Sequence, residues 1–264
     1  MTAVSDTRDA EVRSEERGVR MIDSWEEWGK VHARLDFWRD EIRLICESNG
    51  IELHSLEPTY PGTHAVFFVN EDTVLKIFCP VRYNTYHKEL RLHQGPLKEN
   101  HLFPQIRFHG KSPSGYHYIA FTKIHGKPVR EVGISEAAVR DLAYAIADLQ
   151  IKTLERDRCL VHYDLTEDHV FLSDQGRLEG IIDFGDAKMA HPSDEFPALF
   201  VDCLRCDDSL IAAFREAYDG RATHYQVNDE DIIEAVSRHD YCTDIIAYVR
   251  RSDTGFARYL KSKV

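Results

Sequence analysis

Two polar clusters, each set inside an apolar run, constrain this chain more than anything else in it. The first is Val161-His162-Tyr163-Asp164-Leu165-Thr166-Glu167-Asp168-His169-Val170-Phe171-Leu172, and the second is Gly180-Ile181-Ile182-Asp183-Phe184-Gly185-Asp186. Short apolar runs bounded by Asp, Gly and Ser read as buried strands. The intervening Ser173-Asp174-Gln175-Gly176-Arg177 has turn composition, so Phe171–Leu172 and Leu178–Ile182 are expected to pair as a hairpin. Folding that hairpin carries Asp164, His169 and Asp183 towards one edge. There, one carboxylate can act as a base while the other groups hold a divalent cation.

The two clusters resemble the signature of the aminoglycoside phosphotransferase family, small-molecule kinases with a protein-kinase-like fold. Where the family typically shows H-G-D-x-x-x-x-N, then a hairpin and [apolar]-I-D-[FW], this chain reads His162-Tyr163-Asp164 through His169, with tyrosine in place of the glycine, and Ile182-Asp183-Phe184-Gly185-Asp186-Ala187. The resemblance spans roughly Leu56 to Phe200. It implies an α+β, two-lobed, protein-kinase-like fold with a small antiparallel-sheet lobe and a mostly helical lobe. In this layout residues 21–124 form the N-terminal lobe with an extra helix, and residues 125–264 form the lobe with the catalytic loop and acceptor pocket. The charged composition of residues 1–20 separately leads us to expect a flexible arm there.

The roles follow residue by residue. Asp164 is the expected catalytic base, orienting the acceptor hydroxyl and taking its proton. Asp183 is the expected magnesium ligand, with His169 beside it, and ATP or GTP is the expected co-substrate. His169 stands where most relatives carry asparagine. Relatives acting at the 2″-hydroxyl also carry histidine here with an F-G-D-A stretch downstream, and these can favour GTP. His162 and one of Asp194 or Glu195, Glu195 being preferred, are expected to support the catalytic loop.

Upstream, Thr73-Val74-Leu75-Lys76-Ile77-Phe78 places a lone lysine in an apolar strand. A buried ammonium needs an anionic partner, and Glu89 in the following helix is the candidate. In the family such a pair holds the α- and β-phosphates. Backbone amides around Gly62-Thr63-His64 are candidates for phosphate contact, with Thr63 at the centre, although there is no G-x-G-x-x-G and no Walker A pattern. The resemblance makes Thr122, Lys123 and Ile124 hinge residues that read the purine through the backbone.

Periodicity predicts further elements. Trp25, Trp28, Val31, Leu35, Trp38, Ile42 and Ile45 recur at helical steps, as one long helix or a pair ending near Asn49-Gly50. Glu52–Leu56, Ala65–Val69, Thr73–Phe78 and Tyr116–Ile124 read as strands. Helices are expected over Ser135–Leu154 with Ser135 as N-cap, then around Phe196–Arg205, Ser209–Tyr218, Asp229–Val249 and Thr254–Lys261.

The formal net charge of −12 argues against a nucleic-acid partner and suits a cationic small molecule. Asp202, Asp207, Asp208 and Glu234 are the candidate acceptor-binding carboxylates, with Glu230 and Asp231 nearby. The six scattered cysteines read as free thiols of a cytoplasmic protein, and Cys203-Leu204-Arg205-Cys206 lacks the two further ligands of a metal site. No run is long and apolar enough to span a bilayer. A monomer or weak dimer is expected, with no membrane partner.

The segment from Asp183 to Pro192 is too short for a regulatory activation loop, which disfavours a protein kinase. The reading is therefore a kinase that phosphorylates a hydroxyl of a small cationic molecule, an aminoglycoside-type antibiotic first. The alternatives are a kinase of an amino alcohol or sugar, and a catalytically weak nucleotide-binding scaffold.

Overall fold

The computed structural model describes residues 21–59 and 62–263. The arm assigned to residues 1–20 lies outside the described residues, as do Tyr60 and Pro61 beside the expected phosphate loop. The chain divides into two compact units. The first runs up to Arg91 and adds Gln105–Lys123. The second comprises Leu92–Pro104 and everything from Ile124 onward. The segment Leu92–Pro104, assigned above to the N-terminal lobe, thus belongs to the second unit. The reason is packing: Leu97 and Phe103 are buried in the second unit's core.

In the first unit, strands β1 (Leu56–Pro58), β2 (Ala65–Val69), β3 (Thr73–Ile77), β4 (Ile106–Lys111) and β5 (His117–Thr122) form an antiparallel sheet in the order β1-β2-β3-β5-β4. The first strand forms later than its expected position over Glu52–Leu56. Asn70 accounts for the offset: its side-chain oxygen accepts the amides of His54 and Ser55, and its side-chain nitrogen donates to the Glu52 carbonyl, diverting that stretch from the ladder. β4 was not foreseen, because Arg107, Gly110 and Lys111 dilute its apolar signal.

The tryptophan stripe resolves into two helices, Trp25–Val31 and Leu35–Ser48. Trp28 and Trp38 are fully buried, in the same cluster as Phe67, Leu75 and Ile77 on one sheet face. Their indole N–H groups donate to the Thr63 and Val31 carbonyls at 2.8 and 3.0 Å, so neither polar tip is buried unsatisfied. Trp25 leaves the stripe; it is exposed and lies beneath the Arg82 guanidinium.

In the second unit the helix Glu136–Thr153 is capped as expected, with the Ser135 hydroxyl accepting the Ala138 amide. It packs against the helix Asp208–Arg221. Two small sheets carry the motifs. Strand β6 (Lys127–Pro128) pairs with β8 (Val170–Leu172), which pairs with β9 (Leu178–Ile181), while β7 (Cys159–Val161) pairs with β10 (Lys188–Ala190). The β8–β9 hairpin turns at Gly176, whose φ of +70° is open to glycine at little cost.

Two expected helices differ. The stretch Phe196–Arg205 is a short α-turn, Phe196–Ala198, followed by a π-helical turn, Leu199–Cys203. The long helix expected over Asp229–Val249 is broken into Asp229–Arg238 and Cys242–Arg251. The break at His239-Asp240-Tyr241 follows from tertiary bonds: the His239 ring donates to the Tyr163 carbonyl, and the Asp240 amide donates to the Tyr163 hydroxyl. Apolar periodicity continues through the break and hides it. Among the described residues no helix is long and apolar enough to cross a membrane.

Candidate active site

The first unit supplies one buried ion pair. On β3, Lys76 lies opposite Val66 of β2 and Ile119 of β5, in the middle of the sheet. Its Nζ donates to Glu89 Oε1 at 2.5 Å, with relative exposures of 6% and 1% for the two residues. At this burial the pair is a fixed feature of the unit; a solvated edge lysine is ruled out. Thr63 is exposed, and its carbonyl oxygen is occupied by the Trp28 indole. Of the hinge candidates, the Thr122 amide donates to the Gln105 carbonyl and the Lys123 amide to the Asp72 carbonyl, both at 2.8 Å. Those two amides are engaged within the unit. Ile124 opens the second unit, where its side chain packs against Gly180 closely enough to exclude a Cβ there.

The second unit assembles the two motifs. The loop that carries Asp164 leaves β7 at His162 and is braced by Glu195 and by Ile182. Glu195 Oε2 accepts the His162 amide at 2.7 Å and also takes the Tyr163 amide. His162 Nε2 donates to the Ile182 carbonyl at 2.8 Å, tying the loop to the segment before Asp183. The Ile182 amide in turn donates to the His169 carbonyl at 2.9 Å. Of the two bracing candidates, Glu195 therefore holds the loop, while Asp194 pairs with Arg238 at 2.7 Å.

Burial and the neighbouring Asp194 push the Glu195 carboxyl up to about 7, against the two amide bonds that favour its charged form. Its second oxygen, Oε1, has no hydrogen-bond partner among the described residues.

Asp164 and Asp183 flank His169. His169 Nδ1 lies 3.8 Å from Asp164 Oδ2, and Nε2 lies 3.9 Å from Asp183 Oδ2. Nδ1 is 2.6 Å from the Asp164 carbonyl oxygen, which can only accept, so Nδ1 carries the hydrogen. Nε2 then presents its lone pair towards Asp183 when the ring is neutral. Burial is the main force raising the Asp164 carboxyl to about 6. His169 opposes the rise, and Asp186, Asp183 and Asp202 add to it. Asp183 has φ +62°, a left-handed conformation unusual for a side-chain-bearing residue. The next residue anchors it: the buried Phe184 ring packs 4.6 Å from His162 and 5.2 Å from Phe103.

A magnesium ion fits this donor set only in part. Asp183 offers a charged oxygen and His169 Nε2 a nitrogen that a hard cation takes less readily. Among the described residues no group of three or more His, Cys, Asp or Glu is arranged to hold a metal. The remaining ligands of such an ion would be phosphate oxygens and water.

Beside Asp164 opens a cavity of about 490 Å³, lined partly by Asp164, Asp202, His239, Tyr241, Asp244 and Arg251. Asp202 is half-buried, accepts the Glu167 amide at 2.9 Å, and is raised in pKa chiefly by burial. The other acceptor candidates lie elsewhere. Asp207 caps the helix Asp208–Arg221 through the Ser209 and Leu210 amides. Asp208 accepts the Gly255 and Phe256 amides at the start of the last helix. Glu234 is exposed and faces Arg238 at 3.7 Å. Asp207 and Asp208 are thus engaged with backbone amides, and neither they nor Glu234 line the cavity. Their acidity was legible; their use as caps was not, because a cap is defined by the amides it meets. Tyr241, Asp244 and Arg251 were missed because they lie past the hidden helix break.

With this geometry in view, residues 136–227 match the model described as the phosphotransferase enzyme family, a span that includes both motifs. No curated protein matches the chain by sequence. Among solved structures, the GDP and kanamycin complex of APH(2″)-IIia is similar with a TM-score of 0.59 at 17% identity, covering 87% of this chain and 97% of that one. The streptomycin–ATP–APH(2″)-IIa ternary complex matches with a TM-score of 0.56 at 16% identity, covering 78% and 92%. Macrolide 2′-phosphotransferase type I matches with a TM-score of 0.57 at 15% identity, covering 85% and 96%. The α+β, kinase-like fold read from the two motifs is therefore borne out, as is the resemblance to aminoglycoside phosphotransferases.

Proposed function

We propose that this chain, with the phosphotransferase enzyme family's pattern over residues 136–227 and a kinase-like fold, transfers the γ-phosphate of ATP or GTP to a hydroxyl of a small cationic molecule. The observation that carries the reading is the Asp164–His169–Asp183 cluster, whose Asp164 also lines a cavity that has Asp202 and Asp244 in its wall.

Phosphoryl transfer asks a protein mainly for positioning and charge neutralisation. Asp164 orients the acceptor hydroxyl and takes its proton as the new oxygen–phosphorus bond forms and the bond from the γ-phosphorus to the β–γ bridging oxygen breaks, releasing ADP or GDP. Its raised pKa suits a base that must hold and release a proton near neutrality. Asp183, with His169 Nε2 beside it, is the group that would hold magnesium. The ion supplies charge neutralisation on the phosphates when bound. Lys76, held in place by Glu89, supplies a fixed positive charge for phosphate oxygens.

Asp202 and Asp244 are the acceptor-side carboxylates, and they favour ammonium-bearing substrates such as aminoglycosides. GDP, ATP, kanamycin and streptomycin, bound in the similar structures, are the first ligands to try. The test is a product-detecting screen of kanamycin, streptomycin, a macrolide and simple amino alcohols, each with MgATP and MgGTP. Phosphorylated product from an amine-bearing acceptor supports the reading. Transfer only to neutral sugars overturns the cationic-acceptor part, and transfer to none overturns the whole.

A further inference from the structure

Tyr163 separates the loop histidine from the base, and its backbone sits at φ +75°. A bulky residue in that region is strained and persists only where its surroundings impose the conformation. The surroundings here are specific. On the N-terminal side, Glu195 takes both the His162 and Tyr163 amides. On the C-terminal side, the Tyr163 carbonyl accepts the Nε2–H of His239 at 3.0 Å. The two rings stack with centroids 4.0 Å apart and planes 13° apart. Lys188 Nζ lies 3.2 Å from the Tyr163 ring centroid, and the Tyr163 hydroxyl accepts the Asp240 amide at 2.9 Å. His239 is itself buried, and its Nδ1 accepts the Tyr241 amide at 3.2 Å, which sets the tautomer needed for the Nε2 bond.

The peptide plane that His239 grips contains the Tyr163 carbonyl and the Asp164 nitrogen. Rotation about that plane would swing the Asp164 carboxylate. We propose that His239 is a positioning residue for Asp164: by holding the strained Tyr163 carbonyl, it fixes where the base points. The proposal rests on the phosphotransferase reading for its kinetic arm alone. It also explains why the helix breaks at this point. The turn that carries His239 and Tyr241 is part of the cavity wall, so the acceptor pocket and the base share one brace.

The test compares His239→Ala, His239→Asn and His239→Gln in the full chain. Glutamine can place an N–H near the position of Nε2. Asparagine can still accept the Tyr241 amide but is too short to reach the Tyr163 carbonyl. Crystal structures form the first arm and need no activity. In the Ala and Asn variants Tyr163 should leave positive φ and Asp164 Oδ2 should leave its place 3.8 Å from His169 Nδ1; Gln should keep both. Steady-state kinetics with the acceptor found by the screen form the second arm. A misplaced base should cost roughly 100-fold in kcat while the KM for nucleotide stays within about threefold, with Gln restoring most of the loss. The Asn variant keeps the test open if Ala does not fold. Failure of the wild-type protein to phosphorylate any acceptor would sink the proposed function and leave the crystallographic arm to decide this inference. An unmoved Tyr163 and Asp164 in folded Ala or Asn variants would overturn it. So would wild-type kcat, or an equal loss of kcat and nucleotide affinity that Gln does not repair.

Discussion

His169 donates from Nδ1 to the carbonyl oxygen of Asp164 at 2.6 Å, bracing the backbone of the residue it also faces through its side chain. On the proposed reading, Nε2 on the far side of the same ring faces the magnesium, which gives His169 two tasks, and an asparagine can do both. Its amide N–H can reach a nearby carbonyl, and its oxygen suits magnesium better than imidazole does. His169→Asn should keep or raise turnover and lower the magnesium requirement, read from phosphorylation rates across a magnesium series. His169→Leu should lose at least about tenfold. Loss of activity in a folded Asn variant would show that the ring has another task.

Asp164→Asn should leave nucleotide affinity within about threefold and reduce turnover by roughly 10²–10⁴-fold, the range of a general base. Calorimetry for binding and steady-state assays for turnover separate the two. Turnover near that of the wild type would remove Asp164 from the chemistry.

The acidic limb of the rate profile should report the same carboxyl. Burial raises Asp164 to about 6, and the base must be ionised to accept a proton. kcat/KM should therefore rise about tenfold per pH unit below about 6 and flatten above it. A flat profile from pH 5 to 8 would contradict the assignment.

Glu195 makes a stability prediction of definite sign. Its folded pKa, about 7, lies above the ordinary value of 4.5, so the folded state binds more protons across that interval. Its contribution to stability is then greatest below about 4.5 and is lost as pH rises to about 7. Denaturant titrations should show wild-type stability falling relative to Glu195→Gln over that window. Parallel curves for the two proteins would mean that Glu195 titrates normally.

The buried pair on the sheet predicts a rescue. Lys76→Met removes the charge opposite Glu89 and should cost about 3–5 kcal/mol. Adding Glu89→Leu should recover most of that stability while nucleotide affinity stays low, because the positive charge proposed to meet the phosphates is gone. Calorimetry with MgATP and a thermal melt test both halves. Asp183→Ala should abolish magnesium-dependent nucleotide binding in the same assay, and unchanged metal dependence would count against the site.

The two motifs, their separation and the turn between them were legible along the chain because they are local. Apolar runs, turn residues and the Ser135 cap act over a few residues, so the β8–β9 hairpin and the helix Glu136–Thr153 could be read directly. Lys76 was legible for a related reason: an ammonium in an apolar strand demands a partner, and Glu89 on the following helix was the candidate. What only the tertiary structure decided involves residues distant in sequence. Asp207 and Asp208 look identical to cavity carboxylates until the amides they cap are seen. The break at His239 is invisible to periodicity because Asp229–Val249 keeps its apolar face throughout. It takes the carbonyl of a strained tyrosine, 76 positions away, to stop the helix there. Sequence alone determined which groups were available for the chemistry. Their aim was set by long-range hydrogen bonds and burial, whose energies depend on neighbours that composition and spacing do not name.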